Sequence, residues 1–215
     1  VFGASEKGVV PASGGGSTAF LRADGAWSAP ASSAGGNVPI PYKTSVGRWH
    51  VNSDNTTTLT TLAGVANRID LAPWLCPIDL TIDQVGALCS TAIAAALGKI
   101  VCYNSDALGH PNDLIFESGT VDFSSIGFKS TAQVMNFVRG ELYWIGLRSS
   151  STATVNAHQP YCSPILGYPA IPTTVAAKLL RRTLAFATSA PAVWGYNATE
   201  ETSSNVPALF MRVAP

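Results

Sequence analysis

A strict alternation of apolar and polar residues constrains the fold of this chain more than any other feature. From residue 78 the sequence reads Ile-Asp-Leu-Thr-Ile-Asp, followed by Gln-Val-Gly-Ala-Leu. Successive side chains of an extended chain point to opposite faces, so a period of two is typical of a strand that is buried on one side only. The pattern predicts a half-buried strand over residues 78–88.

Further β-favouring runs recur along the chain at intervals of about ten residues, with turn residues between them, which favours an antiparallel β-sandwich or barrel. Two segments compete as short helices: residues 175–182, capped by Thr173 or Thr174, and residues 92–97, which we interpret as a strand edge or loop. The sequence predicts an all-β domain. The predicted strands are residues 46–51, 56–62, 66–71, 100–103, 114–117, 134–138, 142–147, 184–187, 193–196 and 209–213.

The composition of the 215-residue chain changes sharply near residue 37. Residues 28–37 contain only Ser, Ala, Pro, Gly and Asn, a composition typical of linkers. We therefore predict a connector over residues 1–36 and one domain over residues 37–215, a length that a single domain can fill.

Charge and hydropathy argue against two classes of partner. Thirteen basic and thirteen acidic residues give a formal net charge of zero, and no basic stripe is visible, so nucleic-acid binding is not expected. No uninterrupted apolar run reaches the length of about eighteen residues that a membrane-spanning helix needs, so membrane insertion is not expected either.

The sequence contains no metal or cofactor motif of recognised spacing. Cys76, Cys89, Cys102 and Cys162 lack the spacing of a zinc site, and we interpret them as buried free thiols. The loop of residues 104–113 offers Asp106 and Asp113 as weak candidates for a metal, but Asp106 can equally cap a turn in which Gly109 has a positive φ.

No catalytic constellation is predicted. The chain has no Gly-x-Ser-x-Gly sequence, and its three histidines do not lie at metal-binding spacing. Asp79 and Asp83 share a strand face, but in an extended chain they lie ~13 Å apart, beyond the separation used by glycosidases. We therefore expect a protein without enzymatic activity.

Aromatic side chains are the best candidates for ligand binding, because a sugar ring presents an apolar C–H face that stacks on an aromatic ring. Trp194 and Tyr196 are expected to be the most exposed, although core packing is an equal alternative for each. His158, Tyr161 and Tyr168 accompany them in or beside a proline-rich stretch, where irregular loops commonly bind ligands. Trp144 is predicted to lie in the core.

Residues 8–30 combine glycine-rich and apolar sequence in a way that a plain linker does not. Phe20, Leu21 and Trp27 flank Asp24-Gly25, a strong signal for a β-hairpin. An isolated hairpin is only marginally stable in water, so these apolar residues need a surface to pack against. That surface is either the downstream domain or other copies of the chain.

The same stretch, from Gly8-Val-Val-Pro-Ala-Ser-Gly-Gly-Gly to Phe-Leu-Arg-Ala-Asp-Gly-Ala-Trp27, resembles a motif of tailed-bacteriophage fibre proteins. Ser13 stands where that family often has a second proline. The resemblance implies a homotrimeric virion fibre, of tail or head, assembled in the host cytoplasm, in which the connector contacts other virion proteins. It also implies that a receptor-binding head follows and binds a host surface polysaccharide non-covalently.

A second resemblance concerns the head. Residues 100–119, which include Tyr103-Asn-Ser-Asp106 and Gly109-His-Pro111, and the later Tyr143-Trp-Ile145 are similar to a jelly-roll β-sandwich pattern of phage fibre heads and extracellular adhesive modules. The pattern implies a jelly-roll-like head and brings no catalytic residue. A virion component without host recognition and a polysaccharide depolymerase remain alternative hypotheses.

Overall fold

The computed structural model describes residues 45–52, 59–158 and 178–215, together with the backbone of residues 20–21 and 27–28. The chain divides into two compact units, residues 1–41 and 42–215. The predicted boundary between residues 36 and 37 falls outside the described residues and stays a prediction.

In the first unit, β1 (Phe20–Leu21) pairs antiparallel with β2 (Trp27–Ser28), and Leu21 lies opposite Trp27. The two arms predicted on either side of Asp24-Gly25 therefore do pair. What covers Phe20, Leu21 and Trp27 lies outside the described side chains, so their predicted packing stays a prediction.

The second unit consists of two antiparallel sheets. Its strands are β3 (Trp49–Val51), β4 (Leu59–Ala63), β5 (Arg68–Leu75), β6 (Leu80–Thr91), β7 (Leu97–Ser105), β8 (Pro111–Glu117), β9 (Val121–Asp122), β10 (Gly127–Phe137), β11 (Leu142–Ser149), β12 (Thr154–His158), β13 (Lys178–Thr183), β14 (Glu201–Ser203), β15 (Val206–Pro207) and β16 (Leu209–Val213). The described part also contains a single 3-10 turn, Ala198–Glu200.

We name the sheets after their central strands. The β6 sheet has the order β15-β12-β6-β16-β3, and β4 pairs with β12. Strands β12 and β16 share one edge of β6, and β10 pairs along its other edge. The β11 sheet has the order β14-β13-β5-β11-β7-β8, with β9 paired to β7. Both sheets are seven-stranded, and every pairing in them is antiparallel. The all-β prediction is confirmed, and the arrangement is consistent with a β-sandwich.

The main core lies between the two sheets. It takes Ile82 and Val85 from β6, Met211 from β16, and Cys102 and Ile145 from the β11 sheet, all of them buried. The alternation predicted over residues 78–88 is observed in part: β6 begins at Leu80, and Leu80 and Ile82 are buried while Thr81 is exposed, but Val85, Gly86 and Ala87 are all buried. Burying such apolar surface is the main stabilising contribution to a fold of this kind.

A smaller core lies on the opposite, outer face of the β11 sheet. Trp144 is fully buried there among residues of β5, β7 and β13, as the sequence predicts. Gly146 on β11 has no room for a side chain, because an added Cβ would lie 2.5 Å from the carbonyl oxygen of Asp70. The close contact of β11 with β5 therefore requires glycine at this position.

Two predicted strands are wrong, and one helical candidate is a strand where the structure describes it. Residues 178–182 of the candidate helix 175–182 belong to strand β13, because they pair with β5 and β14. Residues 184–187 form no strand, and residues 193–196 contribute one isolated bridge, between Asp113 and Val193. Strand β12 and residues 127–133 of β10 are strands that the sequence analysis missed.

Candidate functional site

The turn between β7 and β8 is held by Asp106. Its Oδ1 accepts hydrogen bonds from the backbone amides of Leu108 and His110, both 2.8 Å long. Gly109 has a φ of +83°, which glycine adopts without strain. The hydrogen bond from the His110 amide is the main cause that lowers the pKa of the Asp106 carboxyl, and the Leu108 amide adds to it, so the carboxyl stays ionised. Asp106 is therefore a turn cap, the alternative that the sequence left open.

Residues 184–197, which we call the strap, lie over the outer face of the β11 sheet. Arg148 of β11, buried in that face, donates from Nη2 to the carbonyl oxygens of Ala185 (3.0 Å) and Thr188 (2.9 Å). Its Nη1 pairs with Glu117, whose other oxygen accepts from the amide of Ala190 at 3.0 Å. One buried ion pair thus ties the strap to the sheet at three of its backbone groups.

Trp194 closes the other end of the strap. It is 2% exposed, so the expectation of an exposed ring is wrong, and core packing, the alternative, is what the structure shows. Its indole packs edge-on against Tyr103, with ring centroids 5.2 Å apart, and under the Arg182 guanidinium at 4.1 Å. Its Nε1 donates to Glu200 at 3.0 Å, so its polar group is satisfied.

Tyr196 follows at the surface and is half-buried. Its ring stacks on His110 with the centroids 3.9 Å apart and the planes at 5°, and its hydroxyl donates to Glu201. That hydrogen bond to a carboxylate, helped by burial, raises the pKa of Tyr196 to about 12. The flat ring stack is the only near-parallel one among the described residues.

The β7–β8 turn and the strap meet at this point. The amide of Trp194 donates to the carbonyl of Asn112 (2.8 Å), and Val193 forms its bridge with Asp113. We call residues 106–113 and 193–197 the Tyr196 corner. Leu108 and Val193 are 80% and 54% exposed there, so the corner presents apolar side chains beside the stacked rings. Exposed carboxylates and an amide surround them: Asp106, Asp113 and Asn197.

The corner thus brings together four sequence candidates from two segments: Trp194, Tyr196, Asp106 and Asp113. As for metal binding, the described residues contain no cluster of three or more possible ligands from His, Cys, Asp and Glu. The Asp113 carboxylate instead accepts a hydrogen bond from the Asn112 side chain at 3.1 Å. The backbone amide of Asp113 donates to Oδ1 of Asn104 at 2.7 Å.

The remaining ligand-binding candidates are not part of the corner. His158 ends β12 in the β6 sheet, where it is 2% exposed and contacts Asn52 at 3.4 Å. Burial lowers the pKa of His158 to about 4, so the ring is neutral at pH 7. Tyr161 and Tyr168 lie outside the described residues, as does Cys162; Cys76, Cys89 and Cys102 are buried free thiols, as predicted.

Sequence reasoning missed a second surface, on the outer side of the β6 sheet. Trp49 and Phe210 each meet the ring of Phe128 edge-on, with centroids 4.7 Å and 5.7 Å away. The Phe128 ring lies over Gly86, where an added Cβ would be 2.7 Å from its Cζ. We call these four residues the aromatic face. Trp49 and Phe210 lie in predicted strands, but nothing in the sequence indicates that the rings meet.

Comparison with known proteins finds no family model that matches the chain and no curated protein that matches it. Within the part of the chain that the structure describes, no helix has the length and hydropathy of a membrane span. A function is therefore inferred from the residues of the corner and from the resemblance of residues 8–30.

Proposed function

We propose that this chain is the C-terminal part of a bacteriophage or phage-like fibre whose jelly-roll-like head attaches the virion to a host surface glycan. The resemblance of residues 8–30 supports the fibre assignment. The all-β architecture supports the head, since two antiparallel sheets form a rigid support for surface loops.

The observation that carries the binding assignment is the half-buried ring stack of His110 and Tyr196. It lies where two loops meet, and exposed apolar and oxygen-bearing side chains border it. A pyranose ring can place its C–H face against such a surface and its hydroxyls beside the surrounding carboxylates and amides. The pair Asp113 and Asn197 is suited to accept and donate these hydrogen bonds.

Binding at one such corner is weak, because the surface is small and open. We propose that three heads of a homotrimer engage one cell surface, so that tethering raises the overall affinity without new contacts. In this proposal the connector of residues 1–36 joins the head to other virion proteins.

Three carboxyl groups of the head are unsuited to act as the acid of a glycosidase. A glycosidase acid needs a raised pKa, whereas the carboxyls of Asp83, Asp106 and Asp122 all have a lowered pKa. The hydrogen bond from Arg212 lowers the pKa of Asp83, and backbone amides lower that of Asp106. The hydrogen bond with the Ser124 hydroxyl lowers the pKa of Asp122. These carboxylates stay ionised and are engaged by their own neighbours.

The proposal is tested by titrating the full chain with oligosaccharides from surface polysaccharides of candidate host cells, using calorimetry. Replacing Tyr196 by Ala removes the platform and is expected to weaken binding at least ~10-fold. Tyr196→Phe keeps the ring and is the matched control, expected to bind within about twofold of the wild type.

Two outcomes contradict the proposal. If the wild-type chain binds none of the oligosaccharides, a purely structural virion role is favoured. If incubation with purified polysaccharide releases reducing ends, the chain is a depolymerase.

A further inference from the structure

The aromatic face leaves large apolar side chains in solvent. Trp49 is 37% and Phe128 43% exposed, and Val134, farther along the same strand as Phe128, is 74% exposed. Exposed residues alternate along β10, so one side of this strand faces away from the core over its whole length. An exposed cluster of large apolar side chains such as the three rings of this face marks a place where something else packs.

The polar groups bordering the face are already paired with each other. Arg212 donates to both carboxylate oxygens of Asp83, at 2.8 Å and 2.7 Å, and the Ser130 hydroxyl donates to Gln84 at 3.3 Å. The opposite charges of Asp83 and Arg212 cancel. A polar ligand such as a sugar would have to compete with these bonds, whereas another apolar protein surface would not.

The position of the chain points to the occupant. The described head begins at residue 45, and residues 45–48 lead directly into Trp49, so the head starts beside this face. Copies that associate through residues upstream of 45 are therefore joined to their heads next to Trp49. A neutral, self-paired surface also lets identical copies approach without charge repulsion.

We propose that the aromatic face, extended by Ser130, Ala132 and Val134 of β10, is the surface through which copies of this chain pack against one another. The proposal rests on the homotrimer of the proposed function and adds the surface that holds the heads together. The rings of Trp49, Phe128 and Phe210 form the centre of the contact, and the Asp83–Arg212 pair lies at its border.

The first test measures access to the face in the assembled full chain. Ser130 is exposed in the single chain, so the thiol of a Ser130→Cys variant would react with a bulky maleimide at full rate if nothing covered it. We expect its reaction to be at least ~10-fold slower than that of Ser189→Cys, a matched exposed serine in the strap. The wild-type chain, with its native cysteines, gives the background.

The second test changes the assembly. Ala132 is exposed beside Gln84, and Ala132→Lys places an unpaired charge in the contact. We expect sedimentation to show a trimer for the wild-type chain and a dissociation constant raised at least ~10-fold for Ala132→Lys. Ala187→Lys adds the same charge to an exposed turn of the strap and is expected to sediment like the wild type.

Several results would overturn the proposal: equal labelling rates for the two thiols, a monomeric wild-type chain, or an Ala132→Lys chain that assembles normally. Slower labelling of Ser130→Cys only when oligosaccharide is added would assign the face to sugar instead. A chain that binds no glycan yet protects this thiol contradicts the proposed attachment function and leaves the packing surface intact.

Discussion

The outer faces of the two sheets differ in what covers them. On the β11 sheet the strap covers Trp144 and contributes Trp194, and both rings are almost fully buried. On the β6 sheet Trp49, Phe128 and Phe210 remain at the surface of the single chain. The chain therefore completes one face by itself and leaves the other apolar.

The means of closure differ as well. The covered face is fastened by the buried Arg148, paired with Glu117, and by a partly buried pair, Arg182 with Glu200; these groups bond strap backbone or the Trp194 indole. The open face has one solvent-bordering pair, Asp83 with Arg212. A permanent intrachain contact can hold buried ion pairs in a fixed geometry, whereas a surface that meets a partner later is better apolar and neutral.

The largest expected effect compares two tryptophans. Trp194→Ala should lower the free energy of unfolding by about 4 kcal/mol, because a fully packed indole leaves a cavity. Trp49→Ala should cost about 1 kcal/mol, since its ring is partly solvated in the single chain. Each variant is combined with Ala132→Lys, which is expected to prevent assembly, and urea unfolding then measures the two losses in free energy of unfolding on single chains. Equal losses would remove the distinction between them.

Next in size is the ion pair that fastens the strap. Arg148→Met leaves Glu117 partly buried without its main partner and removes one donor from each of two strap carbonyls, so we expect a loss of about 3 kcal/mol. Adding Glu117→Gln should recover part of that loss, because the uncompensated charge is gone. The double-mutant cycle is read from urea unfolding. Additive losses would show that the two groups act independently.

A smaller effect uses pH to separate the sheets. The pKa of His158 is about 4 in the folded chain and about 6.5 unfolded, so the neutral ring stabilises the fold fully above pH 6.5. As pH falls from 7 to 5 the unfolded state gains the proton first, and about 2 kcal/mol should be lost.

Unfolding of the wild type and of His158→Phe at both pH values measures that loss. The variant lacks the titrating ring, so its stability should change less between pH 7 and pH 5. An equal pH dependence in the two proteins would place the titrating group elsewhere.

Periodicity predicted the part of the fold that depends on local pattern. The alternation from residue 78 defined β6, and the apolar run around Trp144 defined a buried strand. The helical interpretation of residues 178–182 was wrong, because Lys, Leu and Arg favour helices in isolation, while pairing with β5 and β14 overrides that preference. Residues 127–133 of β10 were missed because their alternation contains a single large apolar side chain, Phe128.

The site depends more on long-range contacts. The turn cap by Asp106 is local and was among the alternatives drawn from the sequence. The stack of Tyr196 on His110 joins residues 86 positions apart, and the burial of Trp194 depends on Arg182 and Tyr103. Tyr103 and His110 lie far from the strap in sequence, so local pattern could not decide between an exposed and a buried Trp194.

Strand β16 has a consequence for biosynthesis. It pairs with β6 on one side and β3 on the other, although β6 precedes it far along the chain. The β6 sheet can therefore close only after β16 has been synthesised. A nascent chain that stops before Leu209 keeps the edge of β6 open at residues 82–87, where an unpaired strand edge can pair with another chain.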